Sequence, residues 1–182
     1  MNERAVCSAL RTRFANKDSL RKDLQYRAGQ GGPLGGIEWG SAADGEQAYF
    51  PVSDITRPKP GGLHAVKVGT GEPVWVTPPP PPKCGSGRGC NAAQSAAITI
   101  IPGIVFSGSV DGALRAYSTK DGSIVWESDT NREFQTINGV PAKGASMLGP
   151  GPAIAGGMLY VNSGYGAFGG RAGNVLLAIG VD

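Results

Sequence analysis

One sequence pattern occurs twice without a gap, and it limits the folds open to this chain. Residues 61–75, GGLHAVKVGTGEPVW, match residues 112–126, GALRAYSTKDGSIVW, at a glycine, a leucine, an alanine, a second glycine and a tryptophan, each 51 residues apart. A third copy begins at NVLLAIGVD. Short β-branched and aromatic runs precede the copies (QAYFPV, GIVFSG and GMLYVN), and each predicts a strand. A period of about 50 to 60 residues with several strands per unit favours β-propeller blades over a helical solenoid.

The residue types in the repeat suit the packing of one blade on the next. Ala65 and Ala116 are small enough for a neighbouring blade to approach closely. Gly71 and Gly122 stand in the turns GTGE and KDGS, where glycine adopts positive φ at little cost. The tryptophan that ends each copy can fill the space between blades and donate its N–H to a backbone acceptor. We therefore predict that these tryptophans are structural, with ligand contact as the alternative.

The composition agrees with an all-β chain. There are 30 glycines and 14 prolines among 182 residues, above the usual roughly 7% and 5%, so turns should be frequent and helix scarce. The length holds about three four-stranded blades, whereas a closed propeller typically needs about 4 to 8. We therefore expect a partial propeller in an incomplete chain.

Charge and hydropathy argue against nucleic-acid binding and against a membrane span. The net charge is only +3, and no basic run is interleaved with aromatic residues, so we do not expect nucleic-acid binding. No stretch reaches the ~18 consecutive apolar residues of a membrane helix, so we do not expect a membrane span.

The first 27 residues differ from the repeats, which occupy residues 28–182. Residues 1–27 are rich in Arg and Lys and contain neither Gly nor Pro, and a helix could begin there with Asp18 or Ser19 as its N-cap. No apolar stretch of about 7 to 15 residues follows the charges, so we do not expect a signal peptide. We predict a non-native or poorly ordered basic extension, with a functional helical tail as the alternative.

The three cysteines suggest one covalent link. Cys84 and Cys90 bracket the flexible stretch GSGRG, whereas Cys7 stands alone in the N-terminal segment. The sequence favours a Cys84–Cys90 disulfide, with two free thiols as the alternative. A site with four soft metal ligands is not expected, because the single histidine, His64, lies within a motif strand.

The spacing of alanine, glycine and tryptophan in both copies resembles the tryptophan-docking motif of the pyrroloquinoline quinone (PQQ) dehydrogenases, which are eight-bladed propellers. From GGPLGGIEWGSAADG to the C-terminus, about residues 29–182, the chain is similar to the C-terminal part of the polyvinyl alcohol dehydrogenase-like branch. Lys67 and Ser118 stand where Asp is common in the motif, and Asp121 stands where Thr is common. These departures weaken the stapling expected between blades.

The resemblance implies an activity. It implies oxidation of an alcohol or a polymeric alcohol by hydride transfer to PQQ, held on Ca²⁺ near the propeller axis, with electrons passing to a cytochrome c in the periplasm. PQQ is flat and anionic, so it requires an aromatic floor, cationic or amide partners, and a hard metal with oxygen ligands. Because blades would be missing, we expect this chain alone to be inactive and its open blade edges to self-associate.

The resemblance also implies candidate site residues. In GGIEWG, Trp39 occupies the place of the tryptophan on which PQQ stacks, with an ordinary core aromatic as the alternative. Asp54 occupies the place of a metal-binding Asn, or it caps the turn before TRPKPGG. Arg132 is a candidate to pair with a PQQ carboxylate, and Asn138 in the same loop is a second candidate cofactor contact. For both of these residues the alternative is a solvated loop side chain.

The catalytic base is not identified by the resemblance. Relatives carry an Asp in the loop that corresponds to CGSGRGCNAAQSAAI, and this loop contains no carboxylate. Asn91 and Gln94 can orient a ligand, but they cannot accept a proton at ordinary pH. A non-enzymatic propeller that binds protein or polymer is therefore the alternative function.

Overall fold

The computed structural model describes residues 25–180. Within this range the chain forms thirteen β-strands and one 3₁₀ turn, Ala167–Gly169, and it contains no α-helix. No helix of residues 25–180 is therefore long and apolar enough to cross a membrane. The helix predicted to begin at Asp18 or Ser19 lies outside the described residues.

The strands form the sheets of three successive blades, which confirms the predicted all-β partial propeller. Strands of the first blade are β1 (Ala42–Ala43), β2 (Gln47–Val52), β3 (Gly62–Lys67) and β4 (Pro73–Thr77). Strands of the second blade are β5 (Thr99–Ile101), β6 (Ile104–Gly108), β7 (Ala113–Ser118) and β8 (Ile124–Asp129). A separate hairpin follows, made of β9 (Glu133–Phe134) and β10 (Ala142–Lys143). Strands of the third blade are β11 (Ala153–Ala155), β12 (Met158–Ser163) and β13 (Val175–Ile179).

The blades share one topology and one register. Each is an antiparallel meander in chain order, with four strands in the first two blades and three described strands in the third. The motif alanines on the third strands pair with aromatic residues on the second strands: Ala65 with Tyr49, Ala116 with Phe106, and Ala178 with Tyr160. A β-bulge follows Ala65 and Ala116 where the fourth strand pairs with the third. Residues at equivalent places in the repeat therefore occupy equivalent places in the fold.

Trp75 joins the first blade to the second, as predicted. Its indole N–H donates a hydrogen bond of 2.9 Å to the carbonyl oxygen of Thr119. Its ring lies against Gly122, where an added Cβ would come within 2.5 Å of the ring, and Gly122 has a φ of +72°. The Thr77 hydroxyl donates to the Gly122 carbonyl at 2.7 Å. Glycine is therefore required at this turn because the backbone has a positive φ and because the Trp75 ring leaves no room for a Cβ.

Trp126 differs from Trp75 although it holds the same place in the repeat. Its side chain is 39% exposed. Residues equivalent to the Thr119–Gly122 turn are not among the described residues of the third blade. Of the two motif tryptophans, the structure therefore confirms the stapling role only for Trp75.

The hydrophobic core lies between the blades. Side chains of the first and second blades form one cluster: Tyr49, Leu63, Ala65, Trp75, Ile98, Val105 and Tyr117. A second cluster joins the second blade to the third: Ala96, Leu114, Met147, Leu159 and Val161. Stability therefore depends on contacts between neighbouring blades, as in other repeat architectures.

A disulfide closes the loop between the first two blades. Cys84 and Cys90 are bonded, with Cα atoms 5.6 Å apart, which confirms the predicted pair. The loop also contacts the third blade, because the Arg171 side chain donates to the Arg88 carbonyl. The disulfide therefore constrains a loop that joins the first two blades and contacts the loop between β12 and β13 of the third.

Candidate functional site

The backbone segments that precede the first strand of each blade lie side by side. The N–H of Ile98 donates to the carbonyl of Gly40 at 3.1 Å, and the N–H of Ala97 donates to the carbonyl of Gly149 at 2.8 Å. The Gly149 N–H in turn donates to the Ser95 carbonyl at 2.9 Å. The three blades therefore meet around the segment that carries Trp39.

Trp39 presents an open aromatic surface where the blades meet. Its side chain is 44% exposed, which does not agree with an ordinary core aromatic. Gly149 lies beside the ring, and a Cβ added there would be 3.7 Å from Trp39 Cζ2 and 3.8 Å from Tyr165 Cε1. Tyr165 is also exposed. Two exposed rings therefore flank one glycine, and a flat ligand can lie against such a surface.

Glu38, next to Trp39, is a carboxyl group with an altered environment. The side chain is half-buried, and burial raises its pKa above the ordinary value, although hydrogen bonds from Ser53 and Ser95 act in the opposite direction. The hydroxyls of Ser53 and Ser95 lie 2.6 Å apart and link the first blade to the second. A carboxyl group whose pKa is raised holds a proton more readily than an ordinary glutamate, which suits it to proton transfer.

Asp54 holds the glycine-rich segment that precedes Trp39. The residue is 1% exposed and has a φ of +45°. Its carboxylate accepts backbone N–H groups from Gln30 at 2.7 Å, Gly31 at 2.9 Å and Gly36 at 3.0 Å. Burial by itself would raise the pKa of Asp54, but these three N–H donors and nearby Arg57 bring it below the ordinary value. The ionised carboxylate therefore organises the backbone segment that precedes Trp39.

Among the described residues, no cluster of acidic side chains gathers around Asp54. Residues 25–180 contain no group of three or more His, Cys, Asp or Glu side chains that could hold a metal ion. Both carboxylate oxygens of Asp54 already face N–H donors, whereas Ca²⁺ takes about six to eight oxygen ligands. The assignment of Asp54 as a metal ligand stays a prediction that requires ligands from elsewhere.

The Asp54→Asn variant should lose stability in a pH-dependent way. Asparagine tolerates the positive φ at this position. Its amide, however, replaces one carboxylate oxygen with an NH₂ donor that faces backbone N–H groups. We therefore expect the free energy of unfolding to fall by about 1–3 kcal/mol at pH 7. Because the folded-state pKa of Asp54 is lowered, the advantage of wild type is complete above the ordinary Asp pKa of about 3.9 and disappears as the pH falls through the folded-state value. Urea unfolding across this range measures the difference.

A matched control is Glu133→Gln on the exposed hairpin, which should unfold like wild type at every pH. If the stability loss of Asp54→Asn stays constant down to acid pH, the charge of Asp54 does not stabilise the fold, and its size and shape do.

Arg132 and Asn138 lie in and beside the β9–β10 hairpin, on exposed positions. The Arg132 guanidinium stacks 4.1 Å over the Phe134 ring. The side-chain amide oxygen of Asn138, Oδ1, accepts hydrogen bonds from the Thr136 hydroxyl and the Val140 N–H. In the described part of the chain these side-chain contacts stay within the hairpin, so the cofactor-binding roles of both residues stay predictions.

The two amides considered as ligand-orienting groups are structural. Gln94 is buried, its Nε2 donates to the Tyr117 hydroxyl at 2.9 Å, and its Oε1 accepts from the Ser107 hydroxyl at 2.9 Å. The side-chain amide oxygen of Asn91, Oδ1, accepts a hydrogen bond from the Ala93 N–H at 2.7 Å. Both side chains therefore form hydrogen bonds with groups of the propeller itself.

Comparisons with known proteins identify relatives of this chain. The PQQ_2 family, described as outer membrane protein assembly factor BamB, matches residues 59–180. The chain is 44% identical over 168 residues to a polyvinylalcohol dehydrogenase of a Pseudomonas species, covering 86% of this chain and 26% of the relative. It is 45% identical over 185 residues to a polyvinylalcohol dehydrogenase of Sphingopyxis sp. strain 113P3, covering 92% and 28%. The chain thus spans about a quarter of the length of these relatives.

A more distant relative is also an alcohol dehydrogenase by name. The chain is 31% identical over 106 residues to the 1-butanol dehydrogenase (cytochrome c) of Thauera butanivorans, covering 56% of this chain and 15% of that protein.

Solved structures support the fold alone. The quinohemoprotein alcohol dehydrogenase of Comamonas testosteroni matches with a TM-score of 0.53 and 23% identity, over 75% of this chain and 18% of that chain. The quinohemoprotein alcohol dehydrogenase ADHIIG of Pseudomonas putida HK5 matches with a TM-score of 0.55 and 18% identity, over 81% and 19%.

Proposed function

We propose that this chain, which belongs to the PQQ-dependent alcohol dehydrogenase family of β-propellers, supplies part of the quinone site of a polyvinyl alcohol-type dehydrogenase. The observation that carries the proposal is the open ring of Trp39 beside the half-buried Glu38, at the place where the three blades meet. The proposed substrate is an alcohol or a polymeric alcohol, and the proposed electron acceptor is a cytochrome c.

The Trp39 surface fits the shape of PQQ. A tricyclic quinone can lie on the exposed indole face, and Tyr165 on the other side of Gly149 extends the aromatic surface. When bound, PQQ supplies the hydride-accepting chemistry, while the chain binds and orients it. The binding experiment below tests the role of Ca²⁺.

Glu38 is the proposed proton acceptor of this site. Its carboxylate accepts the proton of a substrate hydroxyl held over Trp39, and its raised pKa makes it a more effective base than an ordinary surface glutamate. The Ser53 and Ser95 hydroxyls are joined by a hydrogen bond of 2.6 Å, and the one hydroxyl proton that this bond leaves free can be donated to the carboxylate. Glu38 thereby fills the role that the resemblance left unassigned.

The location and the activity of the chain follow from the same proposal. The Cys84–Cys90 disulfide supports an oxidising compartment such as the periplasm. We expect no turnover from the chain alone, because it spans about a quarter of the length of its dehydrogenase relatives.

Titration of the purified chain with PQQ tests the proposal through tryptophan fluorescence. We expect saturable quenching that disappears in Trp39→Ala and persists in Trp126→Ala, because a quinone on Trp39 quenches that indole by direct contact. The control is matched, since Trp39 and Trp126 are 44% and 39% exposed. A parallel titration of N-acetyltryptophanamide corrects for absorption by the quinone.

Titrations with and without Ca²⁺ separate cofactor binding from metal binding. Enhancement of PQQ binding by Ca²⁺ that is lost in Asp54→Ala and retained in Asp54→Asn, whose amide oxygen is the ligand type that the resemblance places there, would support Asp54 as a ligand. Quenching that survives in Trp39→Ala, or that never saturates, would contradict the proposed site. The alternative is a non-enzymatic propeller that binds protein or polymer, and it predicts no PQQ binding at all.

A further inference from the structure

The disulfide loop, residues 84–90, is rich in glycine and packs loosely over half of its length. Its three glycines have φ of +74°, +105° and +73°. A Cβ added at Gly85 or Gly87 would meet no non-neighbouring heavy atom of the described residues within 4 Å. Glycine has more backbone freedom to lose on folding than any other residue. The disulfide, which closes this loop, therefore supplies much of its order.

The chain is anchored on both sides of the disulfide loop. Before the loop, the Lys83 N–H donates to Asp111 Oδ2 at 3.0 Å. After the loop, Asn91 Nδ2 donates to the Ile55 carbonyl at 3.4 Å. Neither bond involves a sulfur atom, so opening the disulfide leaves both anchors in place. The residues that gain freedom are those between the two cysteines.

The tip of the disulfide loop packs closely on the β12–β13 loop, residues 164–174. A Cβ added at Gly89 would lie 2.9 Å from the Gly169 carbonyl oxygen and 3.0 Å from Arg171 Cγ. Arg171 Nε donates to the Arg88 carbonyl at 3.4 Å. The tip therefore restrains Arg171 through both packing and a hydrogen bond.

Ser146 connects Arg171 to the aromatic surface of the candidate site. Its hydroxyl oxygen accepts the Arg171 N–H at 2.7 Å. Its carbonyl accepts the N–H groups of Gly164 at 2.9 Å and Tyr165 at 3.0 Å. The rings of Tyr165 and Trp39 flank the same glycine. A continuous series of contacts therefore leads from the disulfide loop to the ring that lies beside Trp39.

We propose that the Cys84–Cys90 disulfide is a redox switch that holds the β12–β13 loop, and with it Tyr165, in place beside Trp39. Reduction breaks the S–S bond: a dithiol donor supplies two electrons and two protons, two cysteine thiols form, and the donor becomes a disulfide. The glycine-rich tip then leaves Arg171, and the β12–β13 loop loses a restraint. The aromatic surface is thus completed only where the disulfide forms, in an oxidising compartment. The effect on PQQ binding rests on the proposed function, whereas the effect on the loop does not.

Hydrogen exchange of the full chain tests the switch without any ligand. Every sample carries Cys7→Ser, so that Cys84 and Cys90 are the only cysteines. After reduction with dithiothreitol, or in the double variant Cys84→Ser with Cys90→Ser, the amides of Tyr165 and Arg171 should exchange about tenfold faster, within the range of coupling between sites. Exchange in β6 and β7 should not change, because the anchors on both sides of the loop remain.

A matched pair of glycine variants tests the tip contact with the disulfide intact. Gly89→Ala and Gly85→Ala introduce the same backbone strain, because the two φ values are +73° and +74°. Only the alanine at position 89 would collide with the β12–β13 loop. Gly89→Ala should therefore accelerate exchange in that loop as the double serine variant does, and Gly85→Ala should behave like the oxidised chain.

Fluorescence titration with PQQ tests the consequence for the proposed cofactor site. Because quinones react with thiols, the titration compares the variants with the oxidised chain and contains no reductant. The Kd for PQQ should rise about tenfold in the double serine variant and in Gly89→Ala, and it should stay unchanged in Gly85→Ala. Circular dichroism of each variant should match wild type, and the glycine pair keeps the test decisive if the serine variant does not fold.

Three outcomes would overturn the switch. Equal exchange in the oxidised chain and the double serine variant would show that the disulfide does not hold the β12–β13 loop. Equal exchange in the two glycine variants would show that the tip contact is not the link. Faster exchange with an unchanged Kd would separate the loop from the cofactor site. A lack of PQQ binding by the oxidised chain would instead overturn the proposed function, and the exchange results would still decide whether the disulfide restrains the loop.

Discussion

Replacing Trp75 with alanine is expected to lower the free energy of unfolding by about 3–5 kcal/mol, the range found for deletion of a large buried aromatic side chain. The ring fills the space over Gly122, and its N–H satisfies the Thr119 carbonyl. Alanine would leave a cavity between the first two blades and an unpaired acceptor beside it. Chemical denaturation followed by circular dichroism measures the loss without relying on the deleted fluorophore.

Trp126→Ala is the matched control for this prediction. Trp126 has the same place in the repeat and pairs with Ala116 as Trp75 pairs with Ala65, but its side chain is 39% exposed. We expect a loss of about 1 kcal/mol, typical of a substitution outside a closed core. Equal losses in the two variants would show that the tryptophan stabilises its own blade and that docking on the next blade contributes little.

The blades could be predicted from the sequence because the repeat is local and periodic. Leucine, alanine, glycine and tryptophan recur at fixed offsets, and each has a physical reason to be where it is, so strands, turns and blade order follow from the pattern. The hairpin of β9 and β10 could not be predicted in this way, because its strands are two residues long and lie outside the repeat. Only contacts made by the rest of the chain define such short strands.

The candidate site was predictable at Trp39 and not at Glu38. Trp39 departs from the repeat, which singles it out, whereas a lone glutamate beside it has no pattern. The two serines that affect the pKa of Glu38, Ser53 and Ser95, come from the loop after β2 and from the segment that precedes β5. For Asp54 the position could be predicted, but its three N–H donors come from a glycine-rich segment without any regular element. Contacts between distant loops are not encoded in local spacing.

A buried charge network was also invisible in the sequence, although Arg115 lies inside the motif. Arg115 is completely buried, as is its partner Asp111, with 3.2 Å between Nη2 and Oδ2. Its Nε lies 2.5 Å from Glu127 Oε2, and its Nη1 donates to the Ser109 hydroxyl at 2.7 Å. Lys83, next to the disulfide loop, pairs with Glu127 at 2.6 Å. The network ties the second blade to the loop that enters it.

Replacing Arg115 with methionine should destabilise the protein by about 3–5 kcal/mol, because it leaves Asp111 buried without its cation. For a chain of this size that loss corresponds to a fall of about 10 °C in the midpoint of thermal unfolding. Differential scanning calorimetry measures it directly. Methionine retains most of the apolar volume of the arginine stem, so the effect reports the charge rather than a cavity.

The double variant Arg115→Met with Asp111→Asn decides whether unpaired charge is the cause. Removing the carboxylate charge together with the guanidinium leaves no isolated ion between them, so part of the lost stability should return, because the damage lies in the uncompensated charge. Lys67→Met, which removes an exposed pair with Glu72, should leave the midpoint unchanged because surface pairs contribute little. A double variant no more stable than Arg115→Met would instead mean that the guanidinium acts through its hydrogen bonds to Ser109 and Glu127, and the network would then be a geometric support rather than an electrostatic one.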